Sequence, residues 1–104
     1  MFDLSKEKAS PGLEEFSLEF YEDRKEELET MLACLANNDL SSIRALAHKW
    51  KGFSVPYGFN SLEGLSISLE KSTERECIDE TKLLINKIST YLELKGDILG
   101  AKSK

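Results

Sequence analysis

The residues best placed to do chemistry lie in "AHKWKGFSVPYGF", residues 47–59. This stretch holds the only histidine of the chain, His48, with Lys51 three positions later and Gly52 four positions later. A neutral imidazole is a competent nucleophile near pH 7. A lysine ammonium can neutralise a phosphoryl group that such a ring receives. On a helix, positions i+3 and i+4 flank a side chain on its own face. Lys51 therefore comes within reach of whatever the ring carries, and Gly52 leaves the space beside the ring empty. Glycine inside a helix costs roughly 0.5–1 kcal/mol relative to alanine, so its place here asks for a reason.

The helix that carries these residues is expected to run from about Leu40 to Tyr57, with Asn38 or Asp39 as cap and Pro56 stopping or kinking it near its end. At about 100° per residue, Ile43, Leu46, Ala47, Trp50, Ser54 and Tyr57 share one apolar arc, with Phe53 at its edge. His48 falls about 140° from Ile43 and so faces outward. Arg44 and Lys49 enlarge a positive patch around it, and Ala45 and Val55 add a small apolar surface. Read from the residues alone, two plainer accounts stay open. An exposed histidine among lysines also fits a solvated helix face, and a glycine within a helix also serves close helix packing.

The elements that must position this face follow from the same periodicity. A first helix is expected from about Pro11 to Ala36, with Ser10 as N-cap, Pro11 at the first helical position, and Leu13, Phe16, Phe20, Leu28, Met31, Leu32 and Leu35 as its apolar stripe. Its charged run "YEDRKEELE" reads as a solvated face, with room for a bend near Asp23. A third helix starts after Asn60, where Asn60 and Glu63 are set for a reciprocal cap, and buries Leu62, Leu65, Ser66 and Leu69. A fourth spans about Cys77 to Leu94, with a stripe of Ile78, Thr81, Ile85, Ile88 and Leu92 flanked by Leu84 and Tyr91. No period-2 run competes. The expected fold is all-α: an antiparallel up-down four-helix bundle, with a short extra helical piece at Phe2–Leu4. It forms a single domain over 1–104, with its core at about 11–95 and a flexible C-terminal tail at about 96–104.

Composition narrows the function classes. The chain has 104 residues, 40% of them hydrophobic and 32% charged, as expected for one globular domain. Its net charge of -5 argues against a general nucleic-acid binder, which needs a basic footprint. No apolar run approaches the roughly 18 residues of a membrane span. The first residues mix acidic and basic side chains and show no secretory signal, so the expected location is cytoplasmic. Cys34 and Cys77 stand far apart with no second Cys or His near either. They read as reduced, mostly buried thiols rather than a metal site.

At His48 the sequence resembles the histidine-containing phosphotransfer (HPt) domain family. The family pattern is roughly H-x-apolar-K-G-small-small-x-x-apolar-G, matched here by His48, Trp50, Lys51, Gly52, Ser54, Tyr57 and Gly58. The lead-in "NNDLSSIRALAHKWKG" and the following "YGFNSLEGLSISLEKS" resemble the family's layout on either side. The likeness covers about residues 13 to 94 in pattern and 37 to 72 in detail. Phe53, Val55 and Pro56 depart from its small or polar residues, which bears on the choice of partner.

The resemblance implies a phosphorelay protein of two-component signalling. His48 would take a phosphoryl group from the aspartate of a response-regulator receiver domain, or within a histidine kinase pathway, and pass it to another receiver. Lys51 would stabilise the phosphoryl charge, and Gly52 would give access. Gly58 would allow the turn after the helix and, with Arg44, Ala45, Lys49 and Val55, contribute to partner docking. The metal ion for such transfers belongs to the receiver, so neither metal nor cofactor is expected here. Partners would be receiver domains or a hybrid histidine kinase, with no nucleic acid and no membrane, and the chain is expected to be a monomer. It would be a carrier rather than an autonomous kinase, since it has no nucleotide-binding loop. The alternative is a helical-bundle adaptor that binds a signalling partner without phosphotransfer. A hydrolase using His48 as base fits less well, because no serine or cysteine nucleophile and carboxylate accompany it.

Overall fold

The Gly12 backbone has φ +90°, which takes the chain out of helical geometry and delays the first helix. A short 3₁₀ turn at Glu14–Phe16 leads into α1, Ser17–Ala36. The expected start at Pro11 with a Ser10 cap is therefore corrected: Pro11 and Gly12 form a turn, held by a hydrogen bond from the Gly12 N–H to the Glu14 carboxylate at 3.0 Å. Beyond it α1 is continuous through Asp23. The computed structural model describes Leu4, residues 7–52 and residues 54–100. The expected N-terminal helical piece at Phe2–Leu4 lies outside these except for Leu4, which packs on the core. Phe53 is also outside them.

The remaining helices are α2, Leu40–Lys51; α3, Asn60–Glu74; and α4, Ile78–Leu99. No strand occurs among the described residues. Short connections join the helices, α2 packs on α1 and α3, and α4 closes the ring against α3 and α1. The protein is an all-α four-helix bundle.

The core holds the expected stripes. Met31, Ile43, Ala47, Trp50, Leu62, Leu69, Ile85 and Ile88 are wholly buried, and each larger aliphatic side chain so removed from water contributes about 1.5–3 kcal/mol. On α1 the stripe is partly corrected: Phe16 and Leu32 are exposed, while Tyr21 and Arg24 of the charged run are buried. Arg24 is buried because its guanidinium lies over the Phe20 ring at 4.4 Å, and that ring stacks on Tyr57 at 4.7 Å.

The ends of α3 and α4 also differ from expectation. The α3 N-terminus has no side-chain cap from its own residues, so the Asn60–Glu63 box does not form. Its Ser61 N–H instead donates to Glu7, at 2.7 Å, from far away in the chain. The Glu7 carboxylate also accepts from the Tyr91 hydroxyl at 2.7 Å and pairs with Lys95 at 3.1 Å, with both charged side chains buried. The other difference is at α4, which runs past Leu94 to Leu99. Residues 96–99 therefore belong to the bundle rather than to a flexible tail, and Leu99 packs on the core outside the expected 11–95 span. Gly96 is what lets α4 approach α1: a Cβ there would run into the Tyr21 hydroxyl.

Candidate functional site

The Asp39 side chain accepts from the Ser42 N–H at 3.1 Å and caps α2, which fixes where its first turn begins. Ile43, Ala47 and Trp50 then turn wholly inward. His48 turns outward, with 68% of its side chain exposed. α2 ends earlier than expected. Its last helical residue is Lys51, and a separate 3₁₀ turn covers Val55–Tyr57. The buried Ser54 hydroxyl donates back to the Trp50 carbonyl at 2.6 Å, and Pro56 has no N–H with which to extend the helix.

Gly52 is therefore the C-cap of α2 rather than an interior glycine. Its φ is -78°, which any residue adopts, and a Cβ would make only ordinary contact with the Lys49 carbonyl at 3.5 Å. Neither backbone strain nor close helix packing requires glycine here. Gly52 itself is exposed.

The structure adds a residue that periodicity and motif did not single out. Glu70 of α3 places Oε2 3.0 Å from His48 Nδ1 and Oε1 2.7 Å from Lys51 Nζ. One carboxylate thus bridges the ring and the ammonium. An ionised carboxylate only accepts, so the Nδ1···Glu70 hydrogen bond puts the ring proton on Nδ1. Nε2 is then the nitrogen with a free lone pair, on an exposed ring. The Lys51 ammonium, assisted by His48, holds the Glu70 carboxyl below the usual glutamate range, against the smaller opposing effect of lost hydration. Glu70 lies one residue past the buried Leu69, at the edge of the α3 core stripe. A stripe-edge glutamate was the available signal, but its partners are on another helix.

On the other flank, Glu27 of α1 accepts from Trp50 Nε1 at 2.7 Å, from Arg24 Nε at 2.8 Å and from the Lys49 ammonium. Burial pushes the Glu27 carboxyl up, but these hydrogen bonds and the Arg24 charge outweigh it and hold the group below its ordinary value. Lys49 is thus half-exposed and paired with Glu27, as Lys51 is with Glu70. Arg44, Ala45 and Val55 are exposed, as a docking surface requires. Gly58 is corrected as a docking residue. It is buried, its φ of +87° serves the turn, and a Cβ would come within 2.8 Å of the Ala9 nitrogen.

Cys34 and Cys77 are free and half-buried. Among the described residues no group of three or more His, Cys, Asp or Glu is arranged to hold a metal ion, and no helix is long and apolar enough to cross a membrane. Comparison with protein-family models, with curated proteins and with solved structures found no match. The bundle thus presents one exposed histidine, oriented through one ring nitrogen and flanked by a lysine.

Proposed function

We propose that this protein is a phosphorelay carrier, in which His48 accepts a phosphoryl group from the aspartyl phosphate of a receiver domain and passes it to an aspartate of another. The observation that carries this reading is the carboxylate of Glu70, shared between His48 Nδ1 and Lys51 Nζ, beside an exposed ring.

In the step, the Nε2 lone pair attacks phosphorus in line with the aspartyl oxygen. The N–P bond forms as the O–P bond breaks, and the aspartate leaves as a carboxylate. The ring gains positive character as it gives up its lone pair. Its Nδ1–H bond to Glu70 strengthens with that charge, so the interaction favours the transition state over the resting ring. Lys51, one turn along the helix, is drawn to the incoming phosphoryl oxygens. The reverse step delivers the group to a second receiver. Phosphoryl transfer depends mostly on positioning and charge stabilisation, and a helix face held by partners on two sides can supply both. The open space at Gly52 and the exposed Ala45 and Val55 supply room and apolar surface for a docking receiver. The location that suits this role is cytoplasmic.

Mixing the protein with phosphorylated receiver domains tests the reading. The wild type takes up acid-labile label, and His48→Gln takes up none. A helical adaptor without phosphotransfer would bind its partner equally well in both forms and transfer no label.

A further inference from the structure

Four consecutive residues of α2 are held by carboxylates from opposite sides. Glu70 of α3 takes His48 and Lys51, and Glu27 of α1 takes Lys49 and Trp50. We infer that Glu27 is a positioning residue for His48: by holding Lys49 and Trp50 it fixes the rotation of α2 about its axis, and with it the meeting of His48 and Glu70.

The geometry argues for this in three ways. Successive helical residues project about 100° apart, so Lys49 and Trp50 point to the α1 flank when His48 points to the α3 flank. A turn of the helix that lengthened the Glu27 contacts would swing the imidazole relative to Glu70. The grip is also stiff. The Trp50 indole is wholly buried and its N–H donates to Glu27 at 2.7 Å, so turning α2 about its axis would lengthen that bond. The grip further extends past the end of the helix. Arg24 donates to Glu27 at 2.8 Å and lies over Phe20, which stacks on Tyr57 in the 3₁₀ turn. The segment on both sides of Gly52 is thereby referred to α1.

This arrangement also divides the cations. Glu27 draws Lys49 to the α1 flank, while Lys51 pairs with Glu70 on the side of the ring. The consequence for transfer rests on the phosphorelay reading, whereas the positioning itself does not. Glu27 touches no reacting atom and acts only through α2.

Glu27→Gln tests the inference. The amide loses the charge that holds Lys49 and Arg24, and it weakens the Trp50 bond from a charge-assisted to a neutral one. The first readout is nitrogen NMR of the His48 ring above its titration range, which reports how far Nδ1–H predominates. Wild type is expected to be mainly Nδ1–H, and Glu27→Gln to show a clear shift towards mixed tautomers. Ile85→Val, a core change on α4, controls for general loosening and is expected to leave the ring unchanged. An unchanged ring in Glu27→Gln, or an equal shift in both variants, overturns the inference. The second readout is the rate of label uptake from a phosphorylated receiver. It is expected to fall roughly tenfold in Glu27→Gln, less than the ~100-fold that a misplacement of about 1 Å can cause. If the wild type takes up no label at all, the phosphorelay reading fails, and the ring spectrum still decides the role of Glu27.

Discussion

His48 Nδ1 and Glu70 Oε2 meet at 3.0 Å across the seam between α2 and α3, and the same carboxylate holds Lys51 at 2.7 Å. Twenty-two positions separate the histidine from its carboxylate. The helix layout alone brings them together. This pairing divides the two ring nitrogens into one that is oriented and one that is open to react.

Changing Glu70 to Gln should weaken that division while leaving the bundle folded. The Glu70 carboxyl lies below its ordinary range, chiefly because of Lys51. A carboxyl with a lowered folded pKa contributes stability above its unfolded value of about 4.3 and loses it as the pH falls through the folded value. Urea unfolding of wild type and Glu70→Gln should therefore differ at neutral pH and converge in acid. A gap that grew on acidification would contradict the assignment.

Lys51→Ala should separate folding from transfer. The ammonium is partly exposed, and such pairs contribute about 0–1 kcal/mol to stability. Its charge-assisted bond to a phosphoryl group is of the order of 1.5–3 kcal/mol, or roughly 10- to 100-fold in rate. Thermal unfolding should be nearly unchanged while the transfer rate falls by that factor. Equal rates would remove Lys51 from the reaction.

Gly52 offers a graded test of access. Alanine fits its φ of -78° and the open space around it, so Gly52→Ala should be neutral or stabilise by about 0.4–1 kcal/mol. Gly52→Leu should stay folded and accept phosphoryl groups more slowly, because the added bulk stands beside the ring. Unimpaired transfer by the leucine variant would show that the space is not used.

The buried pair of Lys95 and Glu7 should matter to stability rather than to chemistry. Both side chains are almost wholly buried, and Lys95 also donates to the Gly58 carbonyl at 2.8 Å. Lys95→Met leaves a carboxylate buried without its cation, a change that costs about 3–5 kcal/mol. Chemical denaturation should show a loss of that size. A change under about 1 kcal/mol would mean that water or rearrangement satisfies Glu7.

Two glycines show what the sequence could and could not disclose. Gly52 reads as an interior glycine and proves to be a helix end. Gly96, expected in the flexible tail, proves to be interior to α4 and packed against Tyr21. Only at Gly96 was local propensity outweighed by a distant partner. Ser54 and Pro56 end α2 early, while burial against α1 carries α4 through its glycine. The apolar stripes of α2, α3 and α4 were legible because one face of each must be buried whatever its neighbour. For the same reason the outward direction of His48 was legible. Glu70, Glu27 and Glu7 were not, because each acts on another helix and nothing in the local spacing marks its partner. On α1 the charged run hid Tyr21 and Arg24, since burial of an arginine depends on Phe20 and Glu27 being there to receive it.

The most direct measurement is the position of the phosphoryl group after the protein is incubated with phosphorylated receiver domains. Phosphorus NMR together with acid lability distinguishes phosphate on Nε2 from phosphate on Nδ1. The account predicts one acid-labile phosphoryl group on Nε2 of His48, absent in His48→Gln. Phosphate on Nδ1, or label that persists in His48→Gln, would contradict it.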